Sequence, residues 1–456
     1  GENGLLNSAL KAKEETEISD ERETVDICTA QSMGKDKRGD ITKESLQKEL
    51  DNYTGVKKTE VLKDSTDELY VYFIDTNRYY NVDINGNIEG PVTVNRAEDE
   101  NPGEITKDKN GNELSGETEE EAYEINCIED LCALSNSCNN GTNYDRKYIK
   151  LMVDLDFKSD LSYVNGKIAV EGNIPSCSSV DELKNILTTG EGFYPIGFKN
   201  GIHFYGNFNG KYHEITNLYE NFENDGSIYA GLFGDAFRGA KIQNITVEGE
   251  ISSRCLAGGI AASGSGATFI NCINRVDVEG TANDVDVGGI CGHSYDSGTF
   301  INCANYGEII GGRFNAGILG WDWGKKSKIY NCINANKASA SILRNIYKDG
   351  AIQIFNTINT GNCTSVVVGS INQIQNCFNL KSSVSSLGND KIIEYDETKM
   401  KSEEFVNELN SFIETKGNGS NIDTTGWAKW IYNENDFPTL NIKTIWNGTN
   451  YISNDN

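Results

Sequence analysis

The 456-residue sequence predicts a mainly β protein, a right-handed parallel β-helix with helical caps preceded by a small α+β unit. Three observations predict this. The phrase Phe269-Ile270-Asn271-Cys272-Ile273-Asn274 recurs from Phe300, Ile329, Ile354 and Ile374, placing its first Asn at 271, 302, 331, 356 and 376 in steps of 31, 29, 25 and 20 residues. Such a drifting period marks a solenoid. A second marker runs beside it, Gly231-Leu232-Phe233-Gly234, Gly259-Ile260-Ala261, Gly289-Ile290-Cys291-Gly292 and Gly317-Ile318-Leu319-Gly320, in steps of 28, 30 and 28. Two markers per repeat mean at least two strands per coil. Such a coil cannot bury its inner face alone, so successive coils must stack. Finally, Gly 47 against Pro 5 and Met 3 suits tight corners between short strands. The usual chirality of parallel crossovers gives the hand. Eight to ten coils at about 4.8 Å each would project roughly 40 to 50 Å.

Residues 1–33 read as one helix, with Leu5, Leu6, Ala9, Leu10 and Ala12 on a stripe that continues at Ile18, Val25 and Ile27. Gly34 to Gly39 ends it, and Asp40 or Thr42 caps a short helix through Leu50. Strands follow at Val61, Tyr70–Ile74 and Tyr79–Ile84, the last turned by Asn85-Gly86. Residues 1–90 therefore form a helix plus β-meander domain. The stretch 91–122 carries Asp99, Glu100, Glu117 and Glu119 to Glu121 with few large apolar side chains, which predicts an acidic linker or mobile loop. Ile125 to Ser137 is a helix that caps the open first coil. The β-helix spans 123–400. Residues 401–456, with a helix at Ser402–Ile413 and the aromatic run Trp427, Trp430, Phe437 and Trp446, form the C-terminal cap.

Lys plus Arg 41 against Asp plus Glu 68 gives a net charge of −27, which argues against nucleic-acid or anionic-lipid partners. No run of 18 apolar residues occurs, so no membrane span or signal peptide is expected within these residues. Twelve cysteines invite a disulfide reading. Yet Cys272, Cys303, Cys332 and Cys377 share one phase of the repeat, and stacked strands lie about 4.7 to 4.9 Å apart, wider than the roughly 3.8 Å between disulfide-linked Cβ atoms. Buried thiols are the expectation there, with Cys127, Cys132 and Cys138 the place for a bridge.

Asn271, Asn302, Asn331, Asn356 and Asn376 read as a structural ladder, each amide bonding to the coils above and below at a bend. No nucleophile is paired in sequence with a base, and no cofactor is implied. His203, His213 and His293 lack partners at metal spacing, so surface or turn roles are expected and no metal site. The pairs Asp154 with Asp156 and Asp284 with Asp286 would share a strand face, as paired catalytic acids or calcium ligands would, although a solvated face is the plainer reading. Asp83-x-Asn85-Gly86-Asn87 and Asp108-x-Asn110-Gly111-Asn112 look like fragments of calcium loops but lack the later bidentate acid, so they read as turns. The candidate binding residues are Trp321, Asp322 and Trp323, following Gly320 at a strand end, with Tyr295 at the matching place one repeat earlier. Aromatic side chains on such a loop can pack against sugar rings.

Gly231-Leu232-Phe233-Gly234, the Asn-Cys-x-Asn phrases and Phe193-Tyr194-Pro195-Ile196-Gly197 resemble the GLUG-motif repeats of bacterial surface proteins over residues 123 to 446. That resemblance implies a surface location and an extended scaffold, and supplies no catalytic residues. Gly1 to Leu6 and Ala12 to Ile18 resemble the segment after the hydrophobic stem in prepilin-type proteins of Gram-positive bacteria, which implies a membrane-inserted stem upstream and type IV pilus subunits as partners of the first helix. The combined expectation is an extracellular, pilus-associated adhesin whose β-helix binds glycans or host matrix. The alternatives are a carbohydrate-active β-helix enzyme, a polysaccharide lyase or glycosidase, and a structural minor pilin.

Overall fold

The computed structural model describes the chain except residues 1, 36–40, 54–57, 64–68, 74–75, 77, 84, 94–101, 165–176, 178, 325, 339, 345–350, 369–370, 372, 418, 420–421 and 455–456. Two compact units result, Gly1–Glu98 with Lys158–Tyr163, and Asp99–Phe157 with Val164–Asn456. Asp40 and the predicted break at Gly34 to Gly39 fall largely outside the described residues.

In the first unit α1 (Glu2–Lys35) and α2 (Lys43–Asn52) precede an antiparallel meander of β1 (Thr59–Lys63), β2 (Leu69–Phe73), β3 (Arg78–Val82) and β4 (Ile88–Thr93), paired in chain order. Thr42 caps α2: its side chain accepts from the Ser45 N–H while the Ser45 hydroxyl accepts from the Thr42 N–H. Val25 and Cys28 of α1 meet Leu46 and Leu50 of α2 and Val61, Val71, Tyr80 and Val82 of the sheet in one core. Arg78 forks onto buried Glu21 at 2.8 and 2.9 Å, fastening sheet to helix. Burial opposes charge on Glu21, but the Arg78 hydrogen bonds hold its carboxyl below the ordinary range.

The second unit is a parallel β-solenoid. One ladder runs through Tyr123–Ile125, Tyr148–Leu151, Asn207–Asn209, Lys241–Ser253, Thr268–Gly280, Thr299–Ile301, Lys328–Tyr330, Gln353–Phe355 and Gln373–Gln375, each strand parallel to the next. Its registers stack Phe208, Ile242, Phe269, Phe300, Ile329 and Ile354 in a buried column. The Phe269 and Phe300 rings lie 5.1 Å apart and within 2° of parallel. Burying each such side chain contributes about 1.5 to 3 kcal/mol. A second ladder joins Phe233–Asp235, Ala261–Ser263, Cys291–Ser294 and Leu319–Asp322. A third joins Ala257–Gly258, Asp286–Gly288 and Phe314–Ala316.

The glycine markers sit where these last two ladders meet. A Cβ on Gly259 would run into the Asn274 carboxamide, and one on Gly289 into the Gly317 carbonyl and the Asn305 carboxamide. Glycine is needed there for space.

Residues 102–121, expected as part of an acidic linker, are folded. Asp108 Oδ1 accepts from the N–H groups of Asn110 and Asn112 at 2.9 and 2.8 Å, closing an Asx turn, and the Leu114 N–H returns to the Thr106 carbonyl at 2.7 Å. The Tyr148 N–H donates to the Gly116 carbonyl at 2.8 Å, tying this segment to the first rungs. Hydrogen bonds order the stretch where large apolar residues are few. The predicted helix follows as Ile128–Asn139, with Ile128, Leu131, Cys132 and Leu134 buried.

At the other end Phe405, on the helix Glu403–Glu414, packs edge-on to Phe378 and Tyr395 of the last rungs at 5.0 and 5.6 Å. The antiparallel strands Ala428–Asn433, Asp436–Trp446 and Tyr451–Ser453 lie along a flank of the coils as well, with Trp427 stacked on Tyr330 at 5.4 Å and Asn454 donating to Tyr212 at 2.6 Å.

Candidate ligand-binding site

One flank of the solenoid repeats its chemistry at every rung. Asn244, Asn271, Asn302, Asn331, Asn356 and Asn376 all hold φ between 51° and 57°. This is the left-handed bend that Asn tolerates better than branched residues. Each amide from Asn271 onward donates to the Oδ1 of the rung before at 2.6 to 2.8 Å. A second ladder, not anticipated, uses the other Asn of the phrase and runs the opposite way: Asn274, Asn305, Asn334 and Asn359 each donate to the next rung at 2.8 to 3.1 Å. Between the ladders, Cys272, Cys303, Cys332 and Cys377 are buried free thiols. Burial raises the Cys272 and Cys332 thiols well above their ordinary range, and Cys377 to about 12. Cys132 and Cys138, where a bridge was expected, are also free and buried.

The flank built by the Gly-marked strands keeps the phase but changes the residue. Asp235, Ser263, His293 and Trp321 occupy one register column, while Asp286 and Phe314 are register neighbours in the third ladder. Asp286 Oδ2 meets His293 Nδ1 at 2.7 Å, and both side chains are almost fully buried. Among the described residues Asp286 Oδ1 and His293 Nε2 find no hydrogen-bond partner. Two open polar atoms in a buried pair are unusual, because leaving them unpaired costs about 1 to 3 kcal/mol each.

Aromatic rings surround the pair. Tyr295 and Trp321 lie 4.0 and 5.0 Å from the His293 ring, Trp323 lies 5.1 Å from Trp321, and Phe314 lies 5.0 Å from Trp321. Trp321 is 8% exposed, whereas Trp323 and Tyr295 are 47% and 54% exposed, forming an apolar rim. Arg313 Nη2 approaches Asp286 Oδ1 to 4.0 Å. Along the same column His203 Nδ1 meets Asp235 Oδ2 at 2.6 Å and stacks on Phe237 at 4.3 Å. His203 and Tyr205 wall a hollow of about 520 Å³ with Asn139, Asn143 and Gly201. Burial, ahead of the opposing bond from Ser263 and charge of His203, raises the Asp235 carboxyl.

Of the predicted binding residues, Trp321, Trp323 and Tyr295 thus come together. Asp322 lies apart from the rim: it is fully buried and accepts the Ser327 N–H at 3.1 Å, holding the following loop. His293 is not the surface or turn residue expected, since its strand continues the Gly-marked ladder and buries the ring. Asp284 and Asp286 do not pair on a face, because Asp284 sits exposed in a turn before the strand that begins at Asp286. Asp154 accepts from His213 at 2.9 Å and Asp156 from Asn217 at 2.8 Å, so both tie neighbouring coils. Asp83 and Asp108 close Asx turns. Among the described residues no group of three His, Cys, Asp or Glu side chains is arranged to hold a metal ion, and no helix is long and apolar enough to cross a membrane.

Sequence reasoning missed the His293–Asp286 and His203–Asp235 pairs and the arginines beside Phe314. The signal for the first was a histidine at a repeat position occupied elsewhere by Asp, Ser and Trp. No family model matches the sequence, and no curated protein matches it. Among solved structures, the chain is similar to a candidate immunoglobulin A1 protease from Bacteroides ovatus, with a TM-score of 0.46 and 15% identity over 72% of this chain and 95% of that one.

Proposed function

We propose that this is a cell-surface protein whose β-solenoid presents the Tyr295, Trp321 and Trp323 edge to saccharide ligands, in an adhesive role. The observation that carries the reading is the rim itself. Two large aromatic side chains stand half exposed over a buried His–Asp pair with open polar atoms. Sugar rings offer an apolar face for such rims. The helix-then-meander order of the first unit supports the prepilin resemblance, and the repeated Gly-marked turns support the GLUG resemblance. Binding of a glycan and matrix panel should fall at least tenfold in Trp323→Ala with the melting midpoint held. If Trp323→Ala keeps every interaction, the edge is not the binding site.

A carbohydrate-active enzyme is the second reading, favoured by Asp286 holding His293 with Nε2 open and Arg313 close by, an arrangement suited to proton transfer. Release of oligosaccharide that His293→Gln abolishes would establish it. Binding without turnover would exclude it.

A further inference from the structure

We propose that the saccharide this edge takes carries a carboxylate, a uronic or sialic acid, an inference that rests on the saccharide-binding reading above. The guanidinium carbons of Arg313 and Arg344 lie 4.2 and 4.8 Å from the centre of one ring, that of Phe314, and Arg313 lies also 5.0 Å from Trp321. Two like charges over one ring repel each other. Burial first, and the charge of Arg313 second, push the Arg344 guanidinium below its ordinary range.

The protein offers little to offset that repulsion. Arg344 Nη1 donates to the Arg313 carbonyl at 3.0 Å, and among the described residues its buried Nε has no hydrogen-bond partner and the side chain enters no ion pair. Among the described residues the Arg313 side chain has one acidic neighbour, Asp286 Oδ1 at 4.0 Å, too far for a hydrogen bond. In a chain of net charge −27, acids are abundant, yet among the described residues only Asp286 comes within ion-pair distance of these arginines.

A planar carboxylate suits this pair, because guanidinium forks bind it through two parallel hydrogen bonds while their planar groups stay over aromatic faces. Tyr295 and Trp323 would cover the C–H face of the ring.

The test titrates the full chain with hyaluronan oligosaccharides, with the same oligosaccharides after carboxyl reduction, and with dextran sulfate. Acidic hyaluronan should bind about 10- to 100-fold tighter than the reduced form, the weight of one or two charge-assisted hydrogen bonds. Arg313→Gln with Arg344→Gln should erase that preference while leaving binding of the reduced form. Arg313→Lys, a half-exposed change that keeps the charge and removes the fork, should lose most of it as well. Equal affinity for acidic and reduced chains, or dextran sulfate binding as tightly as hyaluronan, would overturn the inference and leave the saccharide reading standing. Failure of both acidic and reduced chains to bind would overturn the two together.

Discussion

Two flanks of the same coils obey one register and carry opposite chemistry. Along Asn271, Asn302, Asn331, Asn356 and Asn376 the residue is the same at every rung, because each amide is donor to one neighbour and acceptor from the other. Replacing one breaks two bonds. Along Asp235, Ser263, His293 and Trp321 the backbone is equally regular, but the side chains bond sideways, His293 to Asp286 and Asp235 to His203. Identity is therefore enforced where every rung bonds to the next along the axis, and relaxed where such a bond joins only Asp235 to Ser263 and the others run sideways. The free column carries the candidate site.

Asn302→Leu should show the contrast most strongly, at about 3 kcal/mol or more, since it forces Leu into a left-handed bend and strands partners on Asn271, Asn331, Gly426 and Ala428. An unchanged denaturation midpoint would mean the ladder does not stabilise the coils. Gly289→Ala should cost about 1 to 3 kcal/mol, because its Cβ meets backbone oxygen and the Asn305 carboxamide. A melting curve of Gly289→Ala overlaying that of the parent would remove the steric reason for the glycine marker.

Glu220→Gln brings in pH. Burial raises the Glu220 carboxyl well above its ordinary range despite the bond from the Gly231 N–H at 2.8 Å. The unfolded chain then releases this proton first, so the stabilising influence of the protonated acid is complete below the ordinary carboxylate range and declines as pH rises toward the folded pKa. Within that window the parent should lose ground to Glu220→Gln by roughly a factor of ten in the folding constant per pH unit. A constant difference between the two from acid to neutral pH would refute a protonated Glu220. The smallest effect belongs to the free flank: Trp323→Ala should shift stability by no more than about 0.5 kcal/mol, measured by urea titration, even as ligand affinity falls.

The rung phases were legible because the Asn-Cys-x-Asn and Gly-marked phrases repeat wherever the axis demands it. Trp321, Trp323 and Tyr295 stood out because they depart from the repeat at a strand end. The His293–Asp286 contact was hidden, since two residues seven apart meet only because the chain bends at Gly289 and Ile290 between two short strands. Arg313 and Arg344 meet across a rung boundary that composition does not mark. Residues 102–121 were misread because Asx turns, which order them, look like disorder when judged by charge and the scarcity of apolar groups.

The flank strands have a consequence for how the protein is made. Asn302 finds Gly426 and Ala428 at separations of 124 and 126 residues, and Asn331 finds Ala428 and Trp430 at 97 and 99. Rungs can assemble one by one as the chain is made, but these two remain unsealed until the segment Gly426 to Trp430 has followed them. A chain halted before Trp430 would leave Tyr330 and Asn331 without these partners, so a distant segment acts as the latch on rungs laid down about a hundred residues earlier.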